Sequence, residues 1–590
     1  MDRRQFMAGA AVGAGAMIAS TSAAAELPRA SQDLMQRYVR NPGPKTPVTN
    51  VKAACSTDNA IVTETILKVM REGGNAVDAA IAGCMVQATV EPFMTNHTGT
   101  VTFLYYEAKT GKLYQLDSTG TFPSDLPPFR PVPAMPAGYA AYPPSAVIPG
   151  FMPGLKEMFA KFGTKPWAYL CEDAIRWAES GHPVSTFEVQ VNEFGHAFYN
   201  HFPDGRRFFA PDGYLVKVGD LFVNKPLAAT LRKVAAEGPE HMITGGWADA
   251  FIARGNAMGW NIEKRHMTET PPRWIEPLRF RHHEYEVVSL APPQNQGVRL
   301  AGALGILRHL KIRDLQPGSA EHLFYMGHAL RHAIFNAAYS GDPVAVADYD
   351  TAALLDEGYF AHAARLIRGI KPKVDLSRHV ALTGGATGTG GVPTVIGAGN
   401  VIEKHPPGSC ELAIVDAEGN WVQMMNTLQS GGIPGVVVGG VPMVGSHCTF
   451  NQPEPSMMQL LAPGARMRQV MGNTIVLKNG KPVLSLGTPG APHYTVAQVL
   501  THALDFNMSP YAAAEAPRMY PINDQSELAI EDRLSADAVK GLAAMGVKVR
   551  AKPAYDYHMG SFQMCFRDAQ GRLGAVADPR RMGVADGLKS

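Results

Sequence analysis

The chain of 590 residues has almost no excess of charge of either sign. Lysine and arginine together number 54, aspartate and glutamate 52, and the formal net charge is +2. A run of about five or more basic residues, which would build a phosphate-binding face, is missing from the sequence. The sequence therefore predicts no nucleic-acid partner.

Cysteine is also scarce, with six residues in the whole chain. Their spacing contains no C-x-x-C pair, the pattern typical of redox sites and many zinc sites. We expect buried free thiols, although an oxidising compartment leaves a disulfide open. The six residues are Cys55, Cys84, Cys171, Cys410, Cys448 and Cys565.

Long apolar runs are missing beyond the first 25 residues. Within that segment Arg3 and Arg4 precede an Ala/Gly-rich apolar stretch that begins at Ala8 and closes at Ala25. The pattern is typical of a twin-arginine export signal with a small-residue cleavage site. A short membrane anchor is the alternative, but three glycines weaken a spanning helix. We expect residues 1–25 to be removed on export to the periplasm, leaving a soluble protein without a stable membrane anchor.

Hydrophobic residues make up 46% of the chain, enough for a large buried core. The pattern predicts a helix over 57–72 with Asp58 as its cap and a second over 76–90 capped by Asn75. A strand hairpin follows, and a proline-rich connection is predicted over 123–153. Further helices are expected at 166–180, 226–237, 297–310, 319–340 and 496–504. Further strands are expected at 285–291, 411–415, 421–427, 474–478, 482–487, 561–567 and 573–577.

The segment 408–416 places a small hydroxyl residue, Ser409, directly before a strand-like run. A Gly/Thr-rich linker at about 380–408 lies just upstream. If the chain is cut before Ser409, the freed α-amine has a reference pKa of about 7.7 to 8 and can act as base for its own hydroxyl. Cys410 is a rival nucleophile on reactivity, but only the residue exposed by the cut gains that amine. Alone, the pattern favours an ordinary turn serine.

Several ordered segments strengthen the interpretation of Ser409. They are 72–80 (EGGNAVDAA), 147–150 (VIPG), 487–491 (GTPGA), 516–518 (APR) and 577–581 (ADPRR). Together with the junction, they make the chain resemble the gamma-glutamyltranspeptidase family of N-terminal-nucleophile hydrolases from Lys52 to Gly587. The resemblance implies a four-layer α/β/β/α sandwich built from a large region, 26–408, and a small region, 409–590.

The resemblance also implies residue roles. Ser409 would first split the Gly408–Ser409 bond and then attack the acyl carbon of a small-molecule amide or acyl substrate. Thr427 would orient the amine and the nucleophile, and the amides of Gly490 and Ala491 would form the oxyanion hole. No metal or organic cofactor is required, and the two fragments of the precursor would be each other's partners.

Departures from the family pattern concern the substrate. Thr119 stands where the family has the arginine that binds the α-carboxylate, and only Gln429 resembles the residues that hold the rest of a glutamyl head. Binding a zwitterionic glutamyl group without those ion pairs costs several kcal/mol relative to the paired site. We therefore expect a substrate whose acyl group is not γ-glutamyl. The possibilities are a small amide, an acylated metabolite, or a compound with a carbon–carbon bond next to a carbonyl. A non-catalytic, unprocessed binding protein is the competing hypothesis. The pocket candidates are Thr119, Gln429, Ser446, Thr449 and Gln469.

The remaining candidates are weaker. His282 and His283 lie on one predicted strand, where adjacent side chains point to opposite faces, so we expect no metal site there. His447 and His493 are candidates for the pocket lining. Arg466 and Arg468 are candidates for a carboxylate-binding arginine elsewhere in the sequence.

Overall fold

The computed structural model describes residues 43–125, 147–199, 202–257, 260–336, 350–370, 409–427, 436–443, 463–467, 471–522 and 527–589. The predicted export signal and the predicted linker at 380–408 lie outside these residues. No helix in the described ranges is long and apolar enough to cross a bilayer.

The described residues form strands and α-helices that are interspersed along the chain. The strands are β1 (Val48–Val51), β2 (Ala53–Thr57), β3 (Thr100–Glu107), β4 (Lys112–Ser118), β5 (His182–Pro183), β6 (Leu221–Phe222), β7 (Arg273–Ile275), β8 (Leu278–His282), β9 (Tyr285–Ser289), β10 (Cys410–Val415), β11 (Trp421–Thr427), β12 (Val436–Val438), β13 (Val441–Met443), β14 (Thr474–Lys478), β15 (Lys481–Gly487), β16 (Met519–Ile522), β17 (Glu527–Glu531), β18 (Lys548–Lys552), β19 (Gln563–Arg567), β20 (Leu573–Ala577) and β21 (Val584–Leu588). The α-helices are α1 (Ala60–Arg71), α2 (Ala76–Val90), α3 (Phe151–Phe162), α4 (Trp167–Ser180), α5 (Thr186–Tyr199), α6 (Pro203–Phe209), α7 (Lys225–Glu237), α8 (Glu240–Ile243), α9 (Gly246–Ala257), α10 (Gln296–His309), α11 (Ala320–Asn336), α12 (Glu357–Gly369), α13 (Pro492–Leu500), α14 (Pro510–Glu515) and α15 (Ala536–Ala544).

Two seven-stranded antiparallel sheets form the centre of the molecule. The first has the order β21-β2-β10-β11-β3-β4-β7, and the second has the order β1-β20-β19-β15-β14-β9-β8. Each sheet combines strands from before residue 408 with strands from after it. The two regions on either side of Ser409 therefore form one folded unit rather than two.

Three apolar layers hold the sheets and helices together. Helices α1 to α4 pack on the outer face of the first sheet, and α10, α11 and α13 pack on the outer face of the second. Between the sheets, residues such as Leu104, Val288, Val415, Ile475 and Ala575 from both inner faces make the central layer. The arrangement is the expected four-layer α/β/β/α sandwich.

Most predicted elements are confirmed to within a few residues, but two local interpretations are wrong. Helix α1 begins at Ala60, and its cap is Asn59, whose side chain accepts a hydrogen bond from the amide of Ile61 at 2.9 Å. Asp58 instead directs its carboxylate towards the small region. Helix α3 begins at Phe151, within the last three residues of the stretch predicted as a connection, and its Pro153 is tolerated because the first-turn amides of a helix need no partner within it.

The segments 516–518 and 577–581 meet in a buried ion network. Arg518 donates to Asp578, and Arg580 donates to Glu531 at 2.7 Å and contacts Asp578 at 3.4 Å. Burial and the neighbouring Arg580 lower the pKa of Arg518 to about 10, against the opposing pull of Asp578. Each cation here depends on a particular carboxylate for its charge balance.

We predict that Asp578→Asn destabilises the protein by about 3–5 kcal/mol, because it removes the carboxylate that pairs with the buried Arg518. The thermal unfolding midpoint measures the effect. Asp249→Asn is the control, since Asp249 pairs with Lys264 at an exposed site and should contribute less than about 1 kcal/mol. An Asp578→Asn protein that melts like the control would contradict the prediction.

Candidate active site

Ser409 immediately precedes β10 and lies beside Thr427, the last residue of β11. In the β10–β11 ladder Cys410 is opposite Asn426, and the same antiparallel register brings residue 409 opposite residue 427. The Ser409 Oγ donates a hydrogen bond to the Thr427 Oγ1 at 2.9 Å, and both side chains are buried. The hairpin thus joins two residues that the sequence separates by eighteen positions.

The backbone around Ser409 is held from both sides. The amide of Glu411 donates to the Asp58 Oδ2 at 2.9 Å, and the Arg581 Nη1 donates to the carbonyl of Ser409 at 3.4 Å. Burial raises the pKa of Asp58 to about 6, while Arg581 and three hydrogen bonds oppose the rise. Sequence reasoning gave Asp58 a capping role and no role to Arg581, although the ADPRR segment contains the latter.

Gly490 and Ala491 form a left-handed turn, with φ of 66° and 45°, that leads directly into helix α13. Among the described residues, neither amide donates to a backbone carbonyl. Exposed amides at a helix N-terminus stabilise negative charge, as an oxyanion hole requires. The left-handed Ala491 costs about 1–2 kcal/mol, a strain of the kind found at functional sites.

The turn before helix α13 is fixed by Ser561. The amide of Ser561 donates to the Pro489 carbonyl at 3.1 Å and to the Thr488 Oγ1 at 3.0 Å. A Cβ on Gly560 would lie 2.7 Å from the Gly490 carbonyl, so the close approach requires glycine at that position. The backbone angles of the candidate oxyanion turn are therefore set by its neighbours.

Two further acids lie close to Ser409. The Cys410 thiol donates to the Glu91 Oε2 at 3.4 Å, and the Glu411 Oε1 accepts from the Gln423 side chain at 2.6 Å. Burial, reinforced by Asp58, raises the pKa of Glu91 to about 8, and burial raises that of Glu411 well above its usual range. Burial also raises the pKa of Cys410, so this thiol carries no thiolate to compete with Ser409.

Thr119 lines a cavity of about 180 Å³ together with Ser118, Lys156 and Arg466. Thr427 pairs with Thr100 on β3, and β3 pairs with β4, which leads to Thr119. The cavity therefore lies two strands beyond Thr427, about 10 Å away at the usual strand spacing. Gly408, Gln429, Ser446, Thr449, Gln469, His447 and Arg468 lie outside the described residues.

The expectation that His282 and His283 point apart is wrong. His283 lies in the β8–β9 turn with φ of 56°, and both rings reach Asp505, at 2.9 Å and 3.1 Å. The Arg313 Nε also binds this carboxylate, at 3.2 Å. His282 ends the outermost strand of the second sheet, β8, whereas Ser409 adjoins a central strand of the first.

His493 lies in the first turn of α13, next to the candidate oxyanion turn. Its ring packs on Tyr494, with the ring centroids 4.0 Å apart. Burial and the nearby Arg299 lower its pKa well below the usual range, so it is a neutral imidazole. The five cysteines within the described ranges are all buried free thiols, as expected.

Comparisons with known proteins agree with this geometry. A family model described as gamma-glutamyltranspeptidase matches residues 62–588. The glutathione hydrolase proenzyme of Pseudomonas sp. (strain A14) is 29% identical, with 83% of this chain and 85% of the relative covered. The acylase ACY 1 proenzyme of Pseudomonas sp. (strain V22) is 25% identical, with 86% and 89% covered. The crystal structure of cephalosporin acylase from Bacillus halodurans has a TM-score of 0.78 at 22% identity, with 93% and 98% covered, and shows the same fold.

We predict that Glu91→Gln reduces the dependence of stability on pH. The pKa of Glu91 rises from 4.5 to about 8 on folding, so its contribution to the free energy of unfolding is complete below about pH 4.5 and is lost as the pH rises towards 8. A glutamine cannot ionise, and the variant should lose less stability between pH 5.5 and 7.5. Thermal melts at several pH values measure this, with the exposed Glu418→Gln as control. Equal slopes for wild type and Glu91→Gln would contradict the assignment.

Proposed function

The chain belongs to the gamma-glutamyltranspeptidase family, and we propose that it is an exported enzyme that cuts itself before Ser409 and acts through an acyl-Ser409 intermediate. Enzymes of this family are N-terminal-nucleophile amidohydrolases and acyltransferases, and this chain is one of them. The observation that carries the proposal is the contact between the Ser409 and Thr427 hydroxyls at the start of β10.

Self-cleavage comes first in the proposed sequence. The Ser409 Oγ attacks the carbonyl carbon of Gly408, the peptide bond is replaced by an ester, and water hydrolyses the ester. The hydroxyl loses its proton as the amide nitrogen gains one, and Thr427 accepts the hydrogen bond that aims the Oγ. The products are a large fragment ending at Gly408 and a small fragment beginning at Ser409.

Turnover then uses the freed amine of Ser409 as base. The amine takes the hydroxyl proton while the Oγ attacks the substrate acyl carbon, and the same proton passes to the departing amine. In this proposal the Gly490 and Ala491 amides, at the start of α13, stabilise the negative charge on the acyl oxygen. Water resolves the acyl-Ser409 ester in hydrolysis, and an acceptor amine resolves it in transfer.

The proposed acyl group differs from a standard γ-glutamyl unit. Thr119 is neutral, so it offers no positive charge to a substrate carboxylate. Its hydroxyl donates to the Asp117 carboxylate at 2.8 Å and to the Met467 carbonyl at 3.0 Å. Arg466 and Lys156 line the same cavity and supply positive charge from other segments. One relative is named as an acylase, which supports this part of the proposal.

Export is the part of the proposal that depends on sequence alone. The twin arginines, the Ala/Gly-rich stretch and the terminal alanines of residues 1–25 support passage to the periplasm. The twin-arginine route carries folded proteins, which suits a chain whose two regions share both sheets before the cut.

We predict that the purified protein contains two fragments, one ending at residue 408 and one comprising 409–590. Ser409→Ala should leave a single uncut chain, because it removes the attacking oxygen. Denaturing electrophoresis and intact mass spectrometry measure the outcome.

Cys410→Ala is the matched control for that experiment and should cleave like wild type. A wild-type chain that stays intact in every preparation would support a non-catalytic binding protein instead. Loss of cleavage in Cys410→Ala with cleavage retained in Ser409→Ala would transfer the nucleophile role to the thiol.

We predict that γ-glutamyl p-nitroanilide is turned over at least about 100-fold more slowly than the best uncharged acyl anilide of similar length, since the α-carboxylate lacks an arginine at position 119. Release of p-nitroaniline measures both rates, and butanoyl p-nitroanilide serves as the first comparison. Fast turnover of the γ-glutamyl compound that is lost in Arg466→Met would show that Arg466 has taken over the missing role.

A further inference from the structure

Asp58 lies between β2 and α1, in the region upstream of the proposed cut, and only 3% of its surface is exposed. Its carboxylate accepts hydrogen bonds from three residues in two separate segments of the downstream region. The established family activity and the proposed reaction steps assign it no function. Its contacts connect the candidate nucleophile to the candidate oxyanion turn.

One oxygen of Asp58 holds the nucleophile strand. The Oδ2 accepts the amide hydrogen of Glu411 at 2.9 Å, two residues after Ser409. This amide would otherwise be a buried donor at the free end of β10, where an unmet hydrogen bond costs about 1–3 kcal/mol. The contact fixes the position of the first residues of β10 and thereby the position of the Ser409 hydroxyl.

The other oxygen holds the oxyanion turn. The Oδ1 accepts from the Ser561 Oγ and from the Gln563 Nε2, both at 3.0 Å. Ser561 in turn donates its amide to Thr488 and Pro489, the residues just before Gly490. A single carboxylate therefore connects the strand that presents Ser409 with the turn that presents the Gly490 and Ala491 amides.

Arg581 balances the charge of this carboxylate. Its positive charge favours the ionised form of Asp58 against the cost of burial, and its Nη1 donates to the carbonyl of Ser409. The peptide units on either side of Cys410 are thus bracketed, one by the anion and one by the cation. From these contacts we propose that Asp58 is a positioning residue that holds Ser409 and the oxyanion turn in one register.

The chemistry requires a carboxylate rather than an amide at position 58. All three neighbours are donors, and a carboxylate offers acceptor sites on both oxygens. An asparagine offers one oxygen, so its NH₂ group must face either the Glu411 amide or the Ser561 and Gln563 donors. One of the two connections is then broken, while the size of the side chain is unchanged.

This proposal rests on the proposed function, in which Ser409 is the nucleophile. We expect Asp58→Asn to slow self-cleavage by about 10- to 100-fold, the loss expected when reacting atoms are misplaced by about 1 Å. Self-cleavage is followed by electrophoresis of the full chain, made and pulse-labelled by cell-free synthesis. The mature enzyme is tested by the burst of 4-nitrophenol from 4-nitrophenyl acetate, per mole of cleaved chain, and the burst rate should fall similarly.

Asp505→Asn is the matched control, because Asp505 is equally buried, is bound by His282 and Arg313, and lies on the other sheet's edge. It should cleave at the wild-type rate. Ser561→Ala removes the Oγ contact between Ser561 and Asp58 and leaves the Glu411 contact intact, so it tests the proposal even if Asp58→Asn fails to fold. We expect about a 10-fold slower burst from Ser561→Ala, with Ser561→Thr restoring it.

The pH profile of self-cleavage separates positioning from a general structural role. The uncut chain has no α-amine at Ser409, so titration of that amine cannot contribute. As Asp58 protonates near pH 6, one acceptor oxygen becomes a donor, and wild-type cleavage should slow below this pH. Asp58→Asn should be flat there. Four other titratable groups also face Asp58: Glu91, Glu411, Cys410 and Arg581. The pKa of Glu91 is about 8, so Glu91→Gln should keep the wild-type decrease in cleavage rate at low pH.

The outcomes distinguish the two proposals. A wild-type chain that never cleaves overturns the proposed function and with it the role of Asp58. A wild-type chain that cleaves, together with a folded Asp58→Asn chain that cleaves and gives a burst at the same rates, overturns the positioning role alone. Equal slowing by Asp58→Asn and Asp505→Asn also overturns it, since any buried charge would then have the same effect.

Discussion

Strand β10 is hydrogen-bonded on both sides, to β2 from the upstream region and to β11 from the downstream region. A strand paired in this way cannot slip by one residue without turning every side chain to the opposite face, which would move Leu412 and Ile414 out of the helix-facing core. The position and direction of the Ser409 side chain follow from this double ladder. The same ladder would hold the two regions together after the proposed cut, because β2 and β10 belong to different sides of residue 408.

Burial imposes a second constraint around Ser409. Asp58, Glu91 and Glu411 lie close together, and three carboxylates in a low-dielectric interior cannot all be ionised. The raised pKa values leave Glu91 and Glu411 neutral near pH 7, so Arg581 has a single anion, Asp58, to balance. An amine at residue 409 would be stabilised as ammonium by unbalanced carboxylates. Keeping two of them neutral lets such an amine remain a base near neutral pH.

Local pattern predicted most of the fold. The α1–α2 pair, the β3–β4 hairpin and the alternating strands of the last third have strong periodicity and clear turn residues, and the structure confirms them to within a few residues. The spacing between Ser409 and Thr427 also follows from sequence, because a hairpin closed by the turn at Asp416 fixes which residues are opposite each other. The match to ordered family segments supplied the sandwich, which periodicity alone could not.

The failures have a common physical origin in contacts between distant segments. Asp58 resembles a helix cap in sequence, and only the approach of Glu411, more than 350 positions later, shows where its carboxylate is used. His283 follows a strand in sequence, but a left-handed turn residue brings its ring to the same carboxylate as His282. Neither contact leaves a periodic signal along the chain, so no local pattern could have predicted it.

The cavity lined by Thr119 is also built from segments that are distant in sequence. The family position for the carboxylate-binding arginine is at the end of β4, where this chain has Thr119, yet Thr121 just beyond it pairs with Arg466 from the downstream region. Arg466 therefore lies beside Thr121 at this cavity, and its guanidinium donates to the carbonyl of Pro271. A guanidinium binds a carboxylate in a directional way, so a cation held by a downstream segment is not equivalent to one at position 119. In the proposed function, the residues that would carry acyl transfer at Ser409 are therefore separate from the segments that would select the acyl group.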